Sequence, residues 1–163
     1  MLFSVNWLKK WVAIDLPVDE LAEKLTASGL EVATVEPVAS PFSNVVVAEI
    51  TSCEKHPDAD KLKLCSIDFG DAQPAQVVCG APNARVGIKI PLAKVGAVLG
   101  DDFKIRKAKL RGVESFGMAC SARELGLSND HTGLMELPQD APLGMDIRDF
   151  LELDDHAIEV ELT

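Results

Sequence analysis

From Val45 onward, apolar side chains recur at every second position in short runs, and turn-forming residues separate the runs. A period of two is the signature of strands that bury one face and leave the other to solvent. The runs predict strands at 45–53, 62–69, 75–79, 88–95, 103–110 and 116–121. Within 62–69, Leu62 and Leu64 share one face while Cys65, Ile67 and Phe69 share the other. A bulge, or a sharply coiled barrel strand, produces such a switch. Glu124-Leu125-Gly126-Leu127 reads as a single helical turn or loop.

The flanks follow another rhythm. Ser4 can cap a helix with Val5, Leu8, Trp11 and Val12 on one face. Pro17 suits the start of a second helix bearing Val18, Leu21, Ala22 and Leu25, which Gly29 would end. Residues 30–35 read as a strand, and Pro37, Ser40 and Pro41 mark a boundary. Near the end, 146–153 suits a short helix and 157–162 alternates as a strand whose natural partner is 30–35. That pairing would make residues 1–39 with 149–163 one discontinuous α+β domain, with residues 40–148 inserted in it. The expected class is therefore mainly β with an α+β flank, the insert being a small closed barrel with the OB-fold as leading candidate. A chain that stops directly after a strand is expected to be a piece of a longer protein.

Apolar residues make up 47% of the chain, enough for a real core. No apolar run reaches the roughly 20 residues of a membrane span, and Lys9 and Lys10 interrupt the first apolar stretch. Four cysteines without a C-x-x-C pair suggest reduced thiols and a cytoplasmic setting. The net charge of −10 is unevenly spread: residues 1–41 carry −3, 42–148 carry −1 and 149–163 carry −6. Against that background Lys104, Arg106, Lys107, Lys109 and Arg111 place five cations in eight residues. In one strand Lys107, Lys109 and Arg111 would share a face, with Lys104 and Arg106 on the other. Two readings stand side by side: contact with the phosphates of a nucleic acid, or a solvated edge strand that uses charge to prevent edge pairing.

Further constellations carry residue types suited to a site. Cys53, His56, Asp58 and Asp60 offer metal-ligand types, but a lone C-x-x-H favours a structural loop. Lys55, His56 and Lys61 at that loop could instead meet phosphates. Gly80-Ala81-Pro82-Asn83-Ala84-Arg85 leaves a strand in a tight turn, from which Asn83 and Arg85 could present donors to a phosphate, or which is simply a turn. Residues 42–148 contain only Phe42, Phe69, Phe103 and Phe116 as aromatics, most on apolar strand positions expected in the core. Sparse exposed rings disfavour reading of unstacked bases and favour contact with the backbone and shape of a folded RNA. A cysteine–histidine catalytic dyad has only residue type behind it.

Four motifs in order then become specific: Val47-x-Glu49-Ile50, Cys53-Glu54-Lys55-His56-Pro57-x-Ala59-Asp60-Lys61-Leu62, Val78-Cys79-Gly80-Ala81-Pro82-Asn83, and Leu110-Arg111-Gly112-Val113-x-Ser115-x-Gly117-Met118-x-Cys120-Ser121. Over roughly residues 40–148 they resemble the tRNA-binding (EMAP-II-like) OB module of synthetase cofactors, some methionyl-tRNA synthetases and bacterial phenylalanyl-tRNA synthetase β subunits. Ser4-x-Asn6-Trp7-Leu8-Lys9-Lys10-Trp11, Gly29-Leu30-Glu31-Val32 and Ile158-Glu159-Val160-Glu161-Leu162-Thr163 look like the start of that β subunit.

The resemblance implies an α2β2 ligase that joins phenylalanine to its tRNA with ATP and magnesium, and whose catalytic site lies mainly in α. For this stretch it implies no catalytic, cofactor-binding or metal residues. The implied partners are tRNA, the α subunit and downstream β-subunit domains, with neither DNA nor membrane among them. On electrostatic grounds the expected RNA contacts are Lys55, His56, Lys61, Asn83, Arg85, Lys107, Arg111 and Ser115. The alternatives are a scaffolding module that scarcely touches tRNA, or a free-standing tRNA-binding homodimer.

Overall fold

The computed structural model describes residues 1–100 and 102–162. In chain order the elements are β1 (Leu2–Ser4), α1 (Val5–Leu8), α2 (Val18–Ala27), β2 (Glu31–Pro37), β3 (Phe42–Lys55), β4 (Lys63–Asp68) and β5 (Ala75–Cys79). There follow β6 (Lys89–Leu99), β7 (Phe103–Lys104), β8 (Ala108–Leu110), β9 (Val113–Ser115), β10 (Met118–Ala119), α3 (Ile147–Phe150) and β11 (His156–Glu161). They fall into two compact units, Met1–Ala39 with the segment from Glu152 onward, and Ser40–Leu151. No described helix is long and apolar enough to cross a membrane.

In the first unit the strand order is β1-β11-β2, all antiparallel. Val5, Leu21, Ile158 and Val160 form its buried centre, with Leu8, Val18, Leu25, Val32 and Val35 packed around it. Ser4 Oγ accepts the Trp7 amide at 3.0 Å and so caps α1. That helix has one turn only: Trp11 and Val12, expected on its apolar face, are exposed and lie beyond its end. Gly29 (φ +98°) ends α2, with the Leu30 amide reaching back to Leu25 O and the Gly29 amide to Thr26 O.

The second unit is a barrel with strand order β10-β6-β3-β4-β5. The Phe116 amide donates to Gln76 O at 2.8 Å, joining the β9–β10 segment to β5 and closing the ring. This five-stranded arrangement is the OB-fold. One long strand, β3, serves two neighbours, pairing with β6 over Phe42–Glu49 and with β4 over Glu49–Lys55. Register shifts at Asn44 and Thr51 let it bend between them. The bulge expected in 62–69 is therefore on the partner strand. Within β4 the alternation is regular, Cys65 and Ile67 being buried while Leu64 and Ser66 are half-buried on the other face. Val46, Ala48, Ile50, Ile67, Val77, Ile90 and Leu92 fill the barrel.

The expected strand 103–110 is two strands in different sheets. Ile105, its one buried residue, bonds to Ala97 O through its amide (2.7 Å) and accepts from the Gly96 amide (2.8 Å). Beyond it the cations supply no apolar anchor to the barrel, and the chain leaves to form the β8–β9 hairpin. The aromatics also depart from expectation: Phe42 is buried, but Phe103 is 60% and Phe116 38% exposed.

Candidate nucleic-acid interface

The hairpin carries exposed positive charge. Leu110 pairs with Val113 across a two-residue loop, Arg111-Gly112, whose φ angles are +51° and +85°. Positive φ at both positions is what a type I′ turn requires, and it matches the right-handed twist of the strands. In-register pairing puts Ala108, Leu110, Val113 and Ser115 on one face and Lys109 opposite Glu114 on the other. Lys107 Nζ binds Glu114 at 2.8 Å and also lies 4.9 Å from the centre of the Phe116 ring. Lys109 and Arg111 are exposed and make no ion pair among the described residues.

A groove of about 410 Å³ lies beside the loop after β3, with Lys55, Lys61, Lys63 and Arg85 on its walls. Lys55 pairs with Asp60 at 2.9 Å, both largely exposed, so solvent and salt weaken that bond. Lys63 donates to the carbonyls of Pro82 (3.2 Å) and Ala84 (2.8 Å) and is thereby tied to the barrel. Arg85 makes two bonds to Glu136, at 2.8 and 3.0 Å. That guanidinium, helped by the Asn83 amide, holds the Glu136 carboxyl below its usual range. Lys61 has no ion pair among the described residues.

Three expected contacts turn inward instead. His56 is 2% exposed and engages both ring nitrogens within the protein, at Leu110 O and the Asp58 amide. Ser115 Oγ is buried, accepting from the Val78 amide (3.0 Å) and donating to Gly117 O (3.2 Å). Asn83 bonds to both the amide and carbonyl of Leu134, at 2.8 and 2.9 Å, as a side-chain imitation of a strand pair. In this structure their polar atoms are engaged mainly by backbone groups that would otherwise lie buried and unpaired, which gives each of the three a structural role. Of the remaining five, Lys55, Lys61 and Arg85 share the groove, while Lys107 and Arg111 belong to the hairpin.

The expected set omitted Lys109, although it shares the face of Lys107 and Arg111 even in sequence. Cys53 Sγ lies 3.4 Å from Cys65 Sγ while the His56 ring turns to Leu110. No group of three or more His, Cys, Asp or Glu side chains converges among the described residues.

Residues 45–146 match the sequence family described as "Putative tRNA binding domain". All 163 residues align at 55% identity with the phenylalanine–tRNA ligase β subunit of Idiomarina loihiensis and at 58% with that of Pseudomonas putida, in each case covering 20% of the relative. The chain thus spans about a fifth of the length of the curated relatives it matches. Among solved structures, a MetRS related protein from Pyrococcus horikoshii is similar over 80% of this chain and 96% of its own, at 20% identity and a TM-score of 0.46.

Proposed function

Because the chain belongs to the tRNA-binding domain family, we propose that it is the N-terminal part of a phenylalanine–tRNA ligase β subunit, and that its barrel meets tRNA through the β8–β9 hairpin. The identity of 55–58% along all 163 residues supports the parentage. The observation that carries the contact is the exposed Lys109 and Arg111, in and beside the hairpin turn, neither of which makes an ion pair among the described residues. Lys61 extends the surface at the neighbouring loop, and Lys55, Arg85 and Lys107 join by exchanging an exposed carboxylate for a phosphate.

In the parent enzyme the chain's partners are tRNA, the α subunit and later β-subunit domains. ATP and magnesium serve the ligation of phenylalanine in regions outside this chain, which presents surface rather than reacting groups. A second reading rests on Trp7 and Trp11, which are 52% and 74% exposed in the first unit. Large exposed rings of this kind mark protein contacts, and they suit docking to another synthetase domain.

The test is tRNA binding by the chain across a salt series. Phosphate contact predicts a dissociation constant near the 10⁻⁴–10⁻⁶ M of weak non-specific binding, weakening linearly in log–log form. Replacing Lys109 and Arg111 by Ala together should lower the slope by about 2. A salt-independent interaction, or an unchanged slope, would refute the contact.

A further inference from the structure

The barrel has a second concave feature whose chemistry differs from that of the cationic surfaces. A groove of about 520 Å³ runs along β5 and β6, with Phe69, Pro74, Leu92 and Phe116 as apolar walls. That volume is in the range of small-molecule and cofactor sites. We propose that it is a subsite for one unpaired nucleotide of the bound RNA, with the base stacked on Phe116. The inference rests on the RNA-binding reading above and narrows it to a nucleotide outside a duplex.

Three observations carry it. Phe116 is 38% exposed and forms part of the groove wall, whereas Lys107, whose ammonium lies 4.9 Å from the ring centre, is not part of the lining. The ammonium covers one part of the ring, and the residue also contributes to the groove wall. A flat apolar face is the platform on which bases stack regardless of identity.

Polar groups with spare capacity edge the same groove. Gln76 Nε2 donates to Glu114 O at 2.7 Å, which leaves its Oε1 to accept. The Asn44 and Gln73 amides have no side-chain hydrogen bond among the described residues. Amides that both donate and accept can follow a base edge.

The charges complete the argument. Lys94 is the one cation of the lining and makes no ion pair among the described residues, whereas Lys107, outside it, is paired with Glu114. Asp71 is the one opposing carboxylate of the lining, and its Oδ1 already accepts the Ala72 amide. An ammonium free of ion pairs, beside a carboxylate already engaged by the backbone, gives a phosphate-bearing ligand a partner in the groove.

The experiment titrates the intact chain with a single-stranded uridylate hexamer and with tRNA, following backbone amide resonances and affinity in parallel. Resonances of Gln76, Lys94 and Phe116 should move with the hexamer. Phe116→Leu keeps the apolar cover and removes the aromatic face, so it should weaken hexamer binding roughly 5- to 100-fold. The salt slope should not change, because no cation is lost. Lys94→Ala, at an independent position, should weaken binding and lower the slope by about 1.

Unaltered hexamer affinity in Phe116→Leu, or shifts confined to the hairpin, would overturn the subsite even where tRNA binding stays dependent on Lys109 and Arg111. No binding of either RNA by the unaltered chain would overturn the functional reading and the subsite together. Groove shifts that appear without RNA and track a concentration-dependent mass would assign the groove to a second copy of the chain and overturn the nucleotide.

Discussion

The His56 Nε2 atom lies 3.0 Å from the carbonyl oxygen of Leu110, while His56 Nδ1 accepts the Asp58 amide, also at 3.0 Å. An accepting Nδ1 leaves the proton on Nε2, which donates to Leu110. The buried ring is therefore a neutral strut between the loop after β3 and the last pair before the Arg111-Gly112 turn. It holds the two cation-bearing segments in a defined relation without contributing charge. His56→Ala leaves a carbonyl and an amide without their partner and should cost about 1–3 kcal/mol. Urea unfolding measures the loss. Amide exchange should quicken in the β8–β9 hairpin more than in β3 and β6. His56→Gln, whose amide can still donate to Leu110, should recover part of it. Equal loss of protection throughout the barrel would contradict the strut.

Gly112 and Gly117 separate conformational strain from collision. A Cβ on Gly112 (φ +85°) would meet nothing within 4 Å, so Gly112→Ala pays only for the left-handed backbone, about 1–2 kcal/mol. A Cβ on Gly117 (φ +139°) would stand 2.8 Å from the backbone oxygen of Ala93 in β6, and a backbone atom cannot swing aside as a flexible side chain does. Gly117→Ala should therefore cost more, about 3 kcal/mol, and loosen β10 from β6. Chemical denaturation of the two variants orders them. Equal losses would mean that the β6–β10 contact gives way freely.

What could be read from the chain follows how local each feature is. The short apolar run at 75–79, rich in valine, announces β5 without help, and Ser4 and Gly29 cap and stop helices through bonds to near neighbours. The motif residues were visible too, but their roles were not. His56, Asn83 and Ser115 read as donors to a ligand because a sequence does not show which backbone groups the fold brings to them. Those partners, Leu110, Leu134 and Val78, stand 54, 51 and 37 residues away. Likewise Phe116 sits in an apolar pattern, yet barrel closure through its own amide leaves part of its ring to solvent. The basic strip was legible as charge; its break after Ile105 depended on what β6 could offer.

Asn83 tests the side-chain imitation of a strand pair. Its Oδ1 accepts the Leu134 amide at 2.8 Å, and its Nδ2 donates to Leu134 O at 2.9 Å and to Glu136 Oε1 at 3.2 Å. Asn83→Asp keeps the shape and the acceptor but loses the donor, and sets a carboxylate beside Glu136. The variant should lose about 2 kcal/mol near neutral pH. The deficit should shrink in acid, where a protonated Asp can donate again. Arg85→Ala, which removes a solvent-exposed partner of Glu136, should cost less. Thermal unfolding of both variants across pH 4–8 measures the contrast. A pH-independent deficit in Asn83→Asp would show that the missing donor does not matter.

The buried thiols make stability depend on alkaline pH. Burial pushes Cys65 up to about 12, assisted by the Cys53 thiol 3.4 Å away. Burial and then the Glu124 carboxylate push Cys120 up to about 12. Unfolded thiols titrate from their ordinary value of 9.0. Below that both states hold the proton and stability is complete. Between 9.0 and about 12 the unfolded chain binds fewer protons than the native one, so stability falls as pH rises, by up to about 1.4 kcal/mol per pH unit for each thiol. Urea midpoints taken from pH 8 to 11 should decline, and Cys120→Ala should decline less steeply from its own lower starting point. Lysine titration is common to both proteins and cancels in the comparison. Parallel curves would mean that Cys120 ionises in the folded barrel as readily as in the unfolded chain.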